Sequence, residues 1–182
     1  DRTPVTSDTL FPLGSCSKGF IATALAMLAD EGKLDWDDPV RRHLPSFRLS
    51  DPLADSQVSL RDLLCHRTGL ATHDLLWYRA AWPPEEAVRR ASFLPLSRPF
   101  RTAFQYQSTM FTALGLVVSA VSGSPWHKFV EKRLFEPLGM KTAGCSTASF
   151  RSEDRAAGHE FGRKGAVEAM KEWQPTPRPD AA

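Results

Sequence analysis

The chain has 182 residues, of which 42% are hydrophobic and 24% are charged; this balance is typical of one globular domain and excludes extended disorder. Basic residues exceed acidic residues by only two and are scattered along the chain, so we expect no nucleic-acid partner. The longest uncharged apolar stretch, residues 19–29, is too short to span a bilayer, and the three cysteines lack the CxxC spacing of a zinc site or a disulfide framework.

The first predicted helix covers residues 17–31. Its middle, residues 20–29, is apolar on nearly every side, and Gly32 follows at the position where a left-handed residue commonly ends a helix. We therefore expect this helix to be central and buried.

Three further helices are predicted from their first residues. Asp38 is typical of an N-cap and is followed by a proline at the first helical position, which predicts a short helix through residue 42. Ser59 opens another helix that we expect to end near Gly69. Pro84 begins a third.

The second half of the chain predicts two more helices and few strands. Apolar residues recur with helical spacing over residues 109–121, and Gly123 follows as a terminator. Residues 125–134 form another helical segment, whereas extended runs are confined to residues 9–11 and 156–161. The chain is therefore predicted to be mostly helical.

Ser15 and Lys18 carry the first indication of chemistry. They are three residues apart at the start of the buried helix, so both side chains fall on one face and the amine can take the serine proton. This requires a lysine that burial or nearby charge keeps partly neutral. The alternative interpretation is a helix-capping serine beside a lysine whose stem lies along apolar surface.

The surrounding residues resemble a known family. Residues 8–20, DTLFPLGSCSKGF, resemble the nucleophile segment of class C β-lactamase-like serine hydrolases, which belong with the penicillin-binding proteins and include esterases and D-amino-acid peptidases. The resemblance continues in order through residues 31–40, 60–70 and 137–140, and it covers almost the whole chain. It implies an α+β fold of the β-lactamase/transpeptidase type, with Ser15 as nucleophile.

The same resemblance assigns roles to residues before the helix of residues 109–121. The family has a Tyr-x-Asn motif there, which places Tyr106 as a second base beside Lys18 and places Ser108 where asparagine is common. A tyrosinate can deprotonate the serine if adjacent positive charge lowers its pKa. Ser108 either hydrogen-bonds to substrate or Lys18 or caps the following helix, and both interpretations stay open.

The chain departs from the family pattern at its ends. The third motif of the family, Lys-Thr-Gly or His-x-Gly on a strand, is not found before Ala182, and the family's first strands are expected upstream of Asp1. We therefore expect residues 1–182 to be a partial domain, mainly the helical subdomain, with most of the antiparallel sheet missing. Its partners are then expected to include the remainder of its own domain or a second copy of the chain.

These observations predict a serine hydrolase that acts on an ester or amide of a small molecule or short peptide through an acyl-enzyme. The alternative is a catalytically inactive ligand-binding homologue or a non-functional fragment. We expect no cofactor and no metal, since the histidines show no paired metal spacing and the acidic cluster at residues 35–38 is not a calcium loop. The compartment stays open, either cytoplasmic or periplasmic and secreted.

Several other residues invite a role in the site. His66 is expected to order its loop rather than react, and Cys16 is expected to face the core because adjacent helical residues point about 100° apart. Trp77, Tyr78 and Trp82 either line the site or belong to the core.

Overall fold

The computed structural model describes residues 4–77, 82–146, 154–162 and 165–170. Short 3-10 helices at Gly14–Ser17 and Asp74–Leu76 and a π-helix at Glu131–Phe135 accompany the main elements. In chain order the α-helices are α1 (Lys18–Asp30), α2 (Val40–His43), α3 (Pro52–Gln57), α4 (Leu60–Leu64), α5 (Pro84–Ala91), α6 (Ser108–Ser122) and α7 (Trp126–Val130). Strands β1 (His159–Phe161) and β2 (Val167–Ala169) follow.

Helix α6 lies at the centre of the core. It packs against α1, α2, α4, α5 and α7, and it buries eight residues, namely Thr109, Met110, Ala113, Leu114, Gly115, Leu116, Val117 and Val118. Its predicted bounds are confirmed to within one residue, and Gly123 ends it in the left-handed conformation at φ 71°.

Helix α1 has the predicted extent, but the expectation of a central, buried helix holds for one face only. It buries one face, made of Ile21, Ala24, Leu25 and Leu28, whereas Thr23 is exposed. The helix packs against α6 and α7, so only the stripe that faces them is covered in the described part of the chain.

The predicted start of α2 was wrong. Pro39 occupies the N-cap position with extended backbone, and the buried Asp38 does not cap the helix. Its carboxylate instead accepts hydrogen bonds from Asp35 N at 2.9 Å, Arg42 Nη1 at 2.6 Å and His43 Nε2 at 2.8 Å. A carboxylate that accepts these three hydrogen bonds is not available to bind the backbone amides at the start of the helix.

An Asp-Pro pair does begin α3, a helix that was not predicted from the sequence. Asp51 is the N-cap, its carboxylate accepts from Ala54 N at 2.8 Å, and Pro52 is the first helical residue. Ser59 caps α4 as predicted, through a capping box with Asp62, but α4 ends at Leu64 rather than near Gly69. The segment predicted over residues 125–134 is helical, with α7 followed directly by the π-helix.

The strand content is low, as predicted. Strands β1 and β2 pair antiparallel with Glu160 opposite Glu168, and both are exposed. The extended run at residues 9–11 is reduced to a single parallel bridge between Leu10 and Arg155. Among the described residues, no helix has the length and apolarity needed to cross a membrane.

Candidate active site

Ser15 lies in the 3-10 turn that leads into α1. Gly14 has φ 52°, a left-handed conformation that favours glycine, and Ser17 Oγ donates to Gly14 O at 2.6 Å. All four residues of the turn are exposed, Cys16 included. The expectation that Cys16 faces the core was therefore wrong, because the turn precedes the part of α1 that packs against other helices.

The structure places Lys18 beside Ser15. Its Nζ donates a hydrogen bond to Ser15 Oγ at 3.1 Å, as the three-residue spacing predicts. The lysine is half-buried, with Nζ 4.9 Å from the ring centroid of Tyr106 and 5.5 Å from that of Phe111. Two aromatic faces thus hold the ammonium next to the serine.

Tyr106 reaches the same oxygen from the segment before α6. Its Oη donates to Ser15 Oγ at 2.6 Å. Burial raises the pKa of Tyr106, but hydrogen bonds with Lys18, Ser15 and Ser108 and the positive charge of Lys18 outweigh it, so this pKa lies below its ordinary value of 10.0. A phenol with a lowered pKa is better suited to accept and return a proton near neutral pH.

Ser108 is the first residue of α6, and the interpretation of it as the N-cap was wrong. Gln107 is the N-cap, since its side-chain oxygen accepts from Thr109 N at 3.1 Å. The Ser108 side chain instead acts on Tyr106, since it contributes to the lowered pKa of the phenol. The residue is half-buried at the edge of the site, where its binding to substrate stays a prediction.

The loop after α4 holds the tyrosine segment. His66 O accepts from Gln105 N at 2.9 Å, and His66 Nδ1 accepts from Gln107 N at 3.1 Å. Thr72 Oγ donates to Tyr106 O. The expected loop-ordering role of His66 agrees with these contacts, whereas Thr72 and Gln107 were missed because no local pattern relates them to residue 106.

A buried carboxylate connects α4 to the segment that carries Tyr106. Asp62 is fully buried and accepts from Arg67 Nη2 at 2.7 Å and from Arg101 Nη2 at 2.7 Å. Burial alone would raise the pKa of Asp62, but hydrogen bonds from Arg101, Ser59 and Arg67 lower it to about 2. Arg101 begins the segment that carries Tyr106, so this ion cluster links α4 to that segment.

A groove of about 540 Å³ lies beside Thr72. Trp82 lines this groove, and the guanidinium of Arg90 lies 4.3 Å from the centroid of the tryptophan ring. Trp77 is half-buried. Tyr78 lies outside the described residues. Within the described ranges, no three His, Cys, Asp or Glu side chains are grouped in a way that suits a metal ion.

Comparisons with known proteins show the family to which the chain belongs. The family model described as Beta-lactamase matches residues 1–182. Esterase EstB of Burkholderia gladioli is 33% identical over 162 residues, which are 80% of this chain and 41% of that protein. The chain spans about a third of the length of several curated relatives that it matches.

Solved structures give the same result. The octameric penicillin-binding protein homologue from Pyrococcus abyssi superposes with a TM-score of 0.78 at 26% identity, over 97% of this chain and 41% of that one. The D-amino acid amidase from Ochrobactrum anthropi SV3 gives a TM-score of 0.74 at 28% identity, over 99% of this chain and 51% of that one. These matches confirm the β-lactamase/transpeptidase-like fold, and the chain belongs to the Beta-lactamase family.

Proposed function

We propose that the protein containing this chain is a serine hydrolase in which Ser15 attacks the carbonyl carbon of an ester or amide. The observation that carries the proposal is the convergence of two side chains on one oxygen, Tyr106 Oη at 2.6 Å and Lys18 Nζ at 3.1 Å from Ser15 Oγ. A serine hydroxyl needs a neighbouring base to become nucleophilic, and a packing serine has no need of two such partners.

The first chemical step forms a bond between Ser15 Oγ and the carbonyl carbon while the hydroxyl proton moves to the Tyr106 phenolate. The carbonyl π electrons move to oxygen and give a tetrahedral intermediate. When they return, the bond to the leaving group breaks, and the alcohol or amine leaves with the proton from Tyr106. Water then attacks the acyl-enzyme in the same way, with Tyr106 again taking and returning a proton. The positive charge of Lys18 stabilises the phenolate throughout.

The relatives support the proposed substrate class. One is named an esterase and another a D-amino acid amidase, and both names describe hydrolysis at a carbonyl that carries an oxygen or nitrogen leaving group. A small-molecule ester or a short peptide amide is therefore the substrate to test first. Ser108, at the edge of the site, is the proposed substrate contact from α6.

The test is covalent labelling by a fluorophosphonate, followed by intact-mass spectrometry. We expect one adduct on the protein encoded by the complete gene, its loss in Ser15→Ala, and its retention in Ser17→Ala. Ser17 is the matched control because it lies in the same exposed turn with its Oγ bonded to Gly14 O. An adduct that persists in Ser15→Ala rejects the proposal.

A second candidate is a ligand-binding homologue without catalysis, favoured by serine at position 108 where the family commonly has asparagine. It predicts that the wild-type protein binds an amide or ester ligand without acylation. Absence of the adduct from the wild type, together with saturable binding of such a ligand in calorimetry, would select this candidate.

A further inference from the structure

His66 occupies an unusual position in the loop that follows α4. Its φ is 55°, in the left-handed region that few non-glycine residues adopt, and its side chain is only 7% exposed. A residue held in this conformation inside the protein is fixed by its surroundings. The conformation of His66 is therefore set by contacts that adjoin the site.

Those contacts enclose Tyr106 on three sides. The residue before the tyrosine donates a hydrogen bond from Gln105 N to His66 O at 2.9 Å, and the residue after it donates one from Gln107 N to His66 Nδ1 at 3.1 Å. The imidazole also lies against the phenol ring, with centroids 4.6 Å apart and planes inclined by 35°. One residue thus contacts the tyrosine through the backbone on both sides and through its ring.

We infer that His66 is a positioning residue for Tyr106, which it keeps within hydrogen-bond distance of Ser15 through its Nδ1 acceptor and its ring face. The inference rests on the proposed function. Because Nδ1 accepts a backbone N–H, the imidazole is neutral and carries its proton on Nε2. Burial and the nearby charge of Lys18 lower the pKa of His66, which favours the same neutral form.

The physical reason is the precision that proton transfer requires. Tyr106 is 36% exposed, so packing alone does not fix its ring. A displacement of about 1 Å at a catalytic group lowers a rate by about 100-fold, so a group that fixes the phenol acts on the reaction without touching the substrate.

Two substitutions separate this role from simple packing. Glycine tolerates the positive φ but removes both the acceptor and the ring. Asparagine also tolerates it and carries an oxygen close to the position of Nδ1, so His66→Asn keeps the acceptor and loses the ring. Phe104→Ala is the matched control, because Phe104 packs on the imidazole at 5.3 Å, is 70% exposed and lies one residue before the bonded segment.

The first readout is the pKa of Tyr106, measured in a pH titration by NMR of tyrosine labelled with 13C at Cζ. The chain contains two tyrosines, so Tyr106→Phe assigns the signals. We expect the lowered pKa to rise toward 10.0 in His66→Gly, because a displaced phenol loses its bonds to Ser15 and Lys18. We expect His66→Asn and Phe104→Ala to keep it lowered.

The second readout is the rate of fluorophosphonate labelling at Ser15. We expect the labelling rate of His66→Gly to be about 100-fold below that of the wild type. The rate of His66→Asn should be at least about 10-fold above that of His66→Gly, and the rate of Phe104→Ala should equal that of the wild type. If Ser15 is not labelled in the wild type, the proposed function fails, and the NMR readout alone still decides whether His66 positions Tyr106.

Two results would overturn the inference. One is a His66→Gly variant in which the Tyr106 pKa is unchanged and the labelling rate stays within about twofold of the wild-type rate. The other is a folded His66→Asn variant with an ordinary Tyr106 pKa, because the retained acceptor would then have no effect. The asparagine variant can overturn the inference even if His66→Gly does not fold.

Discussion

The phenol of Tyr106 donates a hydrogen bond to Oγ of Ser15 across 2.6 Å, although 91 residues separate them in the chain. Ser15 lies just before α1 and Tyr106 just before α6, and these two helices pack against each other in the core. The contact is therefore set by the packing of α1 on α6 together with the loop that holds the tyrosine segment. Rotation of either helix would separate the two oxygens.

Removal of the phenol oxygen alone should impair the proposed acylation. In Tyr106→Phe the ring still packs against His66, so we expect the folded structure to persist. Loss of the proton acceptor should slow fluorophosphonate labelling of Ser15 by about 10² to 10⁴-fold. Labelling at the wild-type rate, with an unchanged melting temperature, would exclude Tyr106 as the base.

Lys18 should control the pH at which Ser15 becomes reactive. Because Lys18 lowers the pKa of Tyr106, labelling should rise with pH as the phenol ionises, with a midpoint below 10.0. In Lys18→Met that midpoint should move to higher pH, because the ammonium no longer stabilises the phenolate. Lys33→Met is the control, since Lys33 is exposed and paired with Glu31. An unmoved midpoint in Lys18→Met would contradict this role.

Ser108→Ala should act on the phenol rather than on helix α6. Since Gln107 caps α6, we expect the melting temperature to change little. The Tyr106 pKa should rise because the Ser108 hydroxyl, which contributes to lowering it, is lost. The 13C signal of Tyr106 reports this change directly. A large drop in stability without a change in that pKa would show that the serine supports the helix instead.

Asp62→Ala should destabilise the folded protein strongly. The substitution leaves the guanidinium groups of Arg67 and Arg101 without their shared carboxylate, and because these groups are 39% and 42% exposed and can be solvated, we expect a loss of about 1.5–3 kcal/mol. Asp37→Ala is the matched control, because Asp37 pairs with Arg61 at the exposed surface. Urea unfolding of the two variants measures the difference, and equal losses would show that the Asp62 cluster is dispensable.

The same carboxylate predicts how stability depends on acid. The pKa of Asp62 is about 2 in the folded protein against 3.8 ordinarily, so the folded state favours the ionised form. Its contribution of about 2 kcal/mol is present above about pH 4 and is lost as the pH falls toward about 2. The free energy of unfolding of wild type and Asp62→Ala should therefore converge between these pH values, and parallel curves would contradict the assignment.

Features encoded by neighbouring residues could be predicted from the sequence. The apolar period over residues 109–121 and the glycine at 123 were sufficient to place α6, because a helix depends on hydrogen bonds and side chains a few positions apart. The spacing of Ser15 and Lys18 likewise sets them on one face of one turn, and the structure brings their polar atoms to 3.1 Å. The same local residues carry the resemblance that the family match confirms.

Only the tertiary structure decided which distant groups meet. The sequence placed Tyr106 at the site by resemblance alone, and it contained no local signal for the bond between His66 Nδ1 and Gln107 N. It also misplaced Cys16 in the core and Asp38 at an N-cap, because exposure and side-chain partners depend on which elements pack around a residue. Contacts between separated segments arise from the summed burial of many side chains, which no short stretch of sequence contains.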